Sequence, residues 1–181
     1  MSGHSKWSQI KRKKGASDQK KSASFGKFSK LISIAARDNP DINSNFKLQT
    51  VVNRAKEINM PKDSIDRAIK KANDSENKAL KEIIVNAVGP ENTAFVIKAI
   101  TDNSNRTIQE LKSIFHNSGL KMTSDGSLDW MFDKNQDTSY SPKYPVNLES
   151  EEVYQKIIGV LEEIENQDDV EEVYFNFEIN D

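Results

Sequence analysis

Lys81-Glu82-Ile83-Ile84-Val85-Asn86-Ala87-Val88, then Gly89-Pro90-Glu91-Asn92, then Thr93-Ala94-Phe95-Val96-Ile97-Lys98-Ala99-Ile100-Thr101: the reading of this run decides the fold. Its arms, Lys81–Val88 and Thr93–Thr101, are rich in β-branched and aromatic residues, and the glycine and proline fall only between them. That is the pattern of a β-hairpin. In the second arm Phe95, Ile97 and Ala99 alternate with Val96, Lys98 and Ile100, the period of a strand.

Toward the C-terminus the period changes. Asn103, Ser104 and Asn105 can cap a helix whose stripe is Ile108, Leu111, Ile114 and Phe115, and Gly119 ends it. A third strand is predicted at Ser127–Phe132, with Leu128, Trp130 and Phe132 on one face and Asp129, Met131 and Asp133 on the other. Asn135 to Pro145 reads as a loop. Val153, Ile157, Val160, Leu161 and Ile164 mark a second helix with Glu149, Glu151 and Glu152 at its start. Val173, Phe175, Phe177 and Ile179 close the chain as a strand. The predicted order is β-β-α-β-α-β, a two-layer sandwich spanning residues 79–181.

Toward the N-terminus the period is helical throughout. Phe25, Phe28, Leu31, Ile32, Ala35 and Ala36 share one helix face, ending at Asp38-Asn39-Pro40. Leu48, Val51, Val52, Ala55 and Ile58 share another. Asn59-Met60-Pro61 breaks that helix, and Pro61 suits the first turn of a third, striped by Ile65, Ala68, Ile69 and Ala72. Residues 16–74 thus form a predicted three-helix bundle, and the fold class is α+β. Residues 1–15 lack apolar periodicity and read as a basic arm.

Charge separates the two regions. Residues 1–81 hold 19 Lys+Arg against 8 Asp+Glu, whereas residues 82–181 hold 7 against 20, so the net −2 conceals +11 and −13. The first 30 residues alone carry nine cations and one acid. Trp7 stands among these cations. Lys and Arg neutralise phosphate with counterion release, and an indole offers a face on which a base can stack. Lys6, Trp7, Lys11, Arg12, Lys13, Lys14, Lys20, Lys21 and Lys27 are the candidate nucleic-acid contacts. A solvated tail with Trp7 tucked onto the body is the competing reading. Arg106, in the polar run Thr101-Asp102-Asn103-Ser104-Asn105-Arg106-Thr107, joins the candidates because a strand-to-helix junction exposes N–H groups suited to an anion. Helix capping with an Asp102–Arg106 contact is the alternative there.

Catalysis finds no support. The chain has no cysteine and two histidines, His4 and His116. His116, at a helix end, reads as a dipole partner rather than a base. No phosphate-cradling glycine loop is present, and the acidic run from Glu162 to Glu172 lacks the spacing of a calcium loop. No metal, cofactor, small-molecule substrate or membrane partner is expected. The absence of an apolar leader and of any long apolar run makes a cytoplasmic protein the expectation.

Gly3-His4-Ser5-Lys6-Trp7, Asn59-Met60-Pro61-Lys62-Asp63-Ser64-Ile65-Asp66-Arg67-Ala68-Ile69-Lys70-Lys71, the run Thr101–Thr107, Gly126-Ser127-Leu128-Asp129-Trp130-Met131-Phe132 and Asp169–Phe177 closely resemble the signature stretches of the YebC/PmpR family. That resemblance implies a helical first domain followed by two α/β domains, the third inserted within the second. It also implies a role as a transcriptional regulator binding DNA, or as a translational activator working with RNA and ribosomes. Where the third domain would stand, this chain has only Asp133 to Tyr144, too few residues to bury a core. The expectation is a short form in which the loop 133–145 replaces that domain. The glycine-rich hairpin of the family is also altered, with Glu91 and Asn92 following Gly89-Pro90.

The leading expectation is a non-enzymatic, nucleic-acid-binding regulator of gene expression, its target either rRNA in the ribosome or DNA. The alternative is a protein–protein adaptor whose acidic sandwich docks a basic partner.

Overall fold

The computed structural model describes residues 18–74, 79–135 and 138–179, with side chains from Ser24 onward. These fall into two compact units. One holds the helices up to Lys81 together with residues 100–103, and the other holds the remainder.

The helical unit consists of α1 (Asp18–Ala36), α2 (Phe46–Glu57) and α3 (Lys62–Lys70), the last tightening into a 3-10 turn at Lys71–Asn73. The predicted stripes meet in one core, with Ile32, Ala36, Leu48, Val52, Ala55 and Ile65 all nearly inaccessible. Asn45 organises the α1–α2 connection. Its Oδ1 accepts from the Leu48 amide at 3.0 Å, capping α2, while its Nδ2 donates to the carbonyls of Ala35 (2.8 Å) and Asn39 (2.6 Å). The other end of α2 closes on Asn59, whose φ of 61° lets the Met60 amide reach back to the Ala55 carbonyl at 3.0 Å. Met60 is thereby turned into the core. Pro61 precedes α3 with φ −59° and ψ 140°, fixing the new start. The hydroxyl of buried Ser33 donates to the Ala68 carbonyl at 3.0 Å, joining α1 to α3.

The second unit is built on a four-stranded sheet in the order β3-β1-β2-β6, with β1 Lys81–Val88, β2 Ala94–Thr101, β3 Lys121–Thr123 and β6 Val170–Phe175. β1 runs antiparallel to β3 and β2 antiparallel to β6. The predicted hairpin is present, closed by the Gly89 amide donating to the Thr93 carbonyl at 2.8 Å. Gly89 is required there, because a Cβ would stand 2.6 Å from Thr93 Oγ1. Glu91 and Asn92 both adopt left-handed φ (52° and 59°), a conformation ordinarily given to glycine.

All of β2 is buried, so both faces of the sheet need cover. On one face Val85, Ala87, Phe95, Ile97, Ala99, Val173 and Phe175 pack against Leu111 and Phe115 of α4 (Ser104–Ser118) and Ile157, Leu161 and Ile164 of α5 (Glu151–Asn166). α4 ends as predicted at Gly119, φ 76°, and α5 is capped by Ser150.

The other face shows two departures from expectation. The strand predicted at Ser127–Phe132 is instead a chain of turns. Met131 and Phe132 amides both bond the Leu128 carbonyl, at 2.9 and 3.1 Å, and Gly126 takes φ 73°. Leu128, Met131 and Phe132 therefore enter the core at helix-like spacing, leaving Trp130 64% exposed. The strand beside β1 is the shorter Lys121–Thr123. The segment predicted as the loop 133–145 also contains structure. β4 (Phe132–Lys134) and β5 (Tyr140–Pro142) pair antiparallel as a separate ribbon. With the turns, it sets Leu128, Met131, Phe132 and Tyr140 against Ala94, Val96 and Tyr174.

Lys98 of β2 points into this second layer, 6% exposed. Its ammonium donates to the Thr138 carbonyl and hydroxyl, lies 3.6 Å from Glu172 and faces the rings of Tyr140 and Tyr174 at 5.7 and 5.4 Å. Lys98→Ala should remove the ammonium that joins Thr138 to Glu172 and lower stability by about 3 kcal/mol in urea unfolding; a loss below about 1 kcal/mol would show the clamp to be incidental.

Asp41, in the α1–α2 connection, accepts from the Asn43 amide at 3.0 Å and the Ser44 hydroxyl at 2.9 Å. The Asn43 amide, followed by Ser44, holds its carboxyl below the ordinary value of 3.8. A depressed carboxyl contributes stability above its unfolded pKa and loses it as pH falls through the folded value. An NMR titration should find Asp41 protonating below that ordinary value, and an ordinary midpoint would contradict the turn geometry.

Candidate nucleic-acid interface

The helical unit gathers cations on its outside because its stripes leave them no other place. Lys47, Arg54, Lys56, Lys62, Arg67, Lys70 and Lys71 are all exposed. Two of these are ordered by neighbours on the same unit. The Arg54 guanidinium lies over the Phe28 ring at 5.8 Å. Arg67 donates from Nε to the Asp63 carbonyl at 3.2 Å and from Nη2 to Ser64 at 3.1 Å. Lys56, Lys62 and Lys70 form no ion pair with any described residue. Their charge is available to an external anion.

Phe46, the first residue of α2, is 77% exposed. Its position explains why. Leu48, Val51, Val52 and Ala55 define the buried side of α2, and Phe46 stands about 200° around the helix from Leu48. Asn45 fixes the backbone beneath it, so the ring is presented on a held scaffold beside Lys47. The sequence reading passed over this residue. The signal was an aromatic directly after a capping asparagine and off the apolar stripe.

Of the residues singled out in the sequence, Lys6, Trp7, Lys11, Arg12, Lys13 and Lys14 lie outside the described residues, as do the side chains of Lys20 and Lys21 on α1. Lys27 is half-buried on α1, on the helical unit. Arg106 belongs to the other unit. Its Nη2 meets Asp169 Oδ2 at 2.9 Å, and the same oxygen accepts from the Thr107 hydroxyl at 2.7 Å. Asp169 is only 3% exposed, its amide held by Gln167 at 2.7 Å. Much of the Arg106 charge is thus met within the protein. The sequence reading did not pair it with Asp169, which is far along the chain.

A second exposed aromatic pair, Trp130 and Tyr144, stands on the sheet unit with ring centroids 6.3 Å apart. Its neighbour Lys143 is engaged by Asp133 at 3.3 Å and by the Asp129 carbonyl at 3.0 Å. Among the described residues no group of three or more His, Cys, Asp or Glu is placed to hold a metal, and no helix is long and apolar enough to cross a membrane.

Comparison with known proteins gives matches along most of the chain. Residues 5–75 match the TACO1/YebC protein N-terminal domain, and residues 80–136 match the TACO1/YebC second and third domain. A probable transcriptional regulatory protein of Borrelia turicatae is 47% identical over 149 residues, covering 80% of this chain and 61% of that protein. The chain therefore spans less than two thirds of that relative's length. A probable transcriptional regulatory protein of Borrelia duttonii is 34% identical over 241 aligned positions, covering 100% of this chain and 99% of its own. The crystal structure of a conserved hypothetical protein from Aquifex aeolicus superposes with a TM-score of 0.80 at 24% identity, covering 91% of this chain and 93% of that one, which supports the fold.

Proposed function

This chain belongs to the TACO1/YebC family, and from that premise we propose that it is a non-enzymatic regulator of gene expression that binds nucleic acid through its helical unit and N-terminal arm. The observation that carries the reading is the outer surface of that unit, where Lys56, Lys62 and Lys70 lack carboxylate partners among the described residues and Phe46 is held exposed. The regulatory names of its relatives agree with it.

Between duplex DNA and single-stranded RNA, the exposed Phe46 favours the single strand. A ring can stack only on a base whose face is free, whereas in a duplex those faces are covered by neighbouring pairs. A translation-associated role in contact with RNA is therefore preferred here over promoter binding. The arm cations Lys6, Lys11, Arg12, Lys13 and Lys14, with Lys20, Lys21 and Lys27, would add phosphate contacts, and Trp7 a second stacking face. Arg106, already met by Asp169, would contribute least. We also read the chain as a short form of the family. The alignment to the Borrelia duttonii relative extends over 241 positions against 181 residues here. The β4–β5 ribbon would then close the site where longer members carry an inserted domain.

Titration of the full chain with a fluorescein-labelled single-stranded RNA, and with a duplex DNA of equal length, over a range of salt tests this directly. Lys56→Ala, Lys62→Ala and Lys70→Ala together should flatten the RNA log–log salt slope by about 2. Phe46→Ala should weaken RNA binding by about tenfold, leave the slope alone, and affect duplex binding less. An unchanged slope in the triple variant would remove the bundle from the contact surface. Equal loss on RNA and duplex for Phe46→Ala would remove the preference for single strands.

A further inference from the structure

The second face of the sheet contains a cleft that nucleic-acid binding does not use. Its inner end is a chamber of about 20 Å³ with Asn86, Asp125 and Asp129 among its lining groups and Ile84, Phe132 and Tyr140 as apolar walls. It opens into a wider cleft of about 550 Å³ rimmed by Asp133, Lys134 and Lys143. Asn86 is 5% exposed. Its Nδ2 reaches the Ser124 carbonyl at 3.5 Å, but its Oδ1 is buried with no hydrogen-bond partner among the described residues. A buried acceptor left unpaired is unfavourable, and an apolar residue of similar size would remove that cost. The carboxylates of Asp125 and Asp129 also have no hydrogen-bond or ion-pair partner among the described residues.

Asn86 Oδ1 and the two carboxylates share one chemical demand, because each of these oxygens accepts and none donates. An inner chamber of this volume admits one water-sized group. A primary ammonium has that size and three N–H donors, and it carries the charge that two free carboxylates favour. The apolar walls suit methylenes behind it. No triad of His, Cys, Asp or Glu placed for a metal exists among the described residues. At the mouth, Lys134 disfavours a second positive charge, whereas Lys143 is already paired with Asp133.

We propose that this cleft binds a primary alkyl-ammonium, ammonium end inward against Asn86 Oδ1, Asp125 and Asp129, with a neutral or anionic outer end. The ligand is the side chain of a lysine within a polypeptide or a free ω-amino acid, and the probes separate these two sources.

The full chain is titrated by NMR with ε-aminocaproate, Nα-acetyl-lysine methylamide, cadaverine and caproate, following the Asn86 side-chain amide. Saturable binding is expected for at least one of the first two, weaker binding for cadaverine, and none for caproate. Response to the lysine derivative alone identifies a polypeptide side chain, and response to ε-aminocaproate alone a free amino acid. Asp125→Asn with Asp129→Asn should weaken binding by at least about tenfold, the size of a lost charged hydrogen bond. Asn86→Leu should abolish it without lowering the melting temperature, which separates lost binding from lost folding. Failure of both ε-aminocaproate and the lysine derivative to saturate, equal binding of caproate, tighter binding of cadaverine, or full binding in these variants would overturn the proposal.

Discussion

Strand β2 has neither face in water, and the sheet unit follows from that constraint. A strand buried on both sides must be covered twice, at roughly 25 cal/mol for each Å² of apolar surface removed from water. α4 and α5 supply one cover. The other consists of turns and a short ribbon, elements that bury less per residue and need extra fastening. Lys98 provides it. An ammonium in the interior is tolerable only when its donors and charge are met, and here the Thr138 carbonyl and hydroxyl, Glu172 and two tyrosine rings meet them. The buried lysine thus ties the turn of the ribbon to β2 and β6. Asn176, 1% exposed, does comparable work at the opposite end, accepting from the Ala94 amide at 2.8 Å and donating to the Asn92 carbonyl at 3.0 Å.

The helical unit is governed by a different constraint. Its helices are short, so each depends on the others for burial, and its cations are excluded from the shared core. The outward charge surplus is therefore a consequence of folding as much as a binding device. What would distinguish a device from a solvated surface is the absence, among the described residues, of carboxylate partners at Lys56, Lys62 and Lys70, together with an aromatic ring held exposed on the same unit. The sheet unit shows the contrast, since Arg106 and Lys143 both find carboxylates within it. Chain-wide segregation of charge adds to this, because an anionic ligand attracted by one half is repelled by the other.

Much of this was legible in the sequence where period and punctuation agreed. The helix stripes, the Gly89–Asn92 turn and the stops at Asn59 and Gly119 all rest on local rules, and the structure follows them. Legibility failed at Ser127–Phe132. Six residues with apolar side chains at alternate positions satisfy a strand pattern, but Leu128, Met131 and Phe132 equally satisfy a spacing of three and four. Gly126 and the second face of β2 decided between them, and the latter is a tertiary fact. The Arg106–Asp169 pair was illegible for a related reason, because its partners are 63 residues apart and meet only once β6 is laid against β2. Phe46 was legible but unread. An aromatic off the stripe is a surface statement, although Trp7 is the only aromatic that the N-terminal charge run brings to notice as a stacking group.

The helical unit, with the arm before it, is the face we propose turns to nucleic acid. The most direct measurement is an amide chemical-shift map of the isotope-labelled full chain with a single-stranded RNA at physiological salt. The largest perturbations should fall within residues 1–74, with Phe46, Lys47 and the amides around Lys56, Lys62 and Lys70 among them. Perturbations concentrated on the sheet unit, with the helical unit silent, would contradict it.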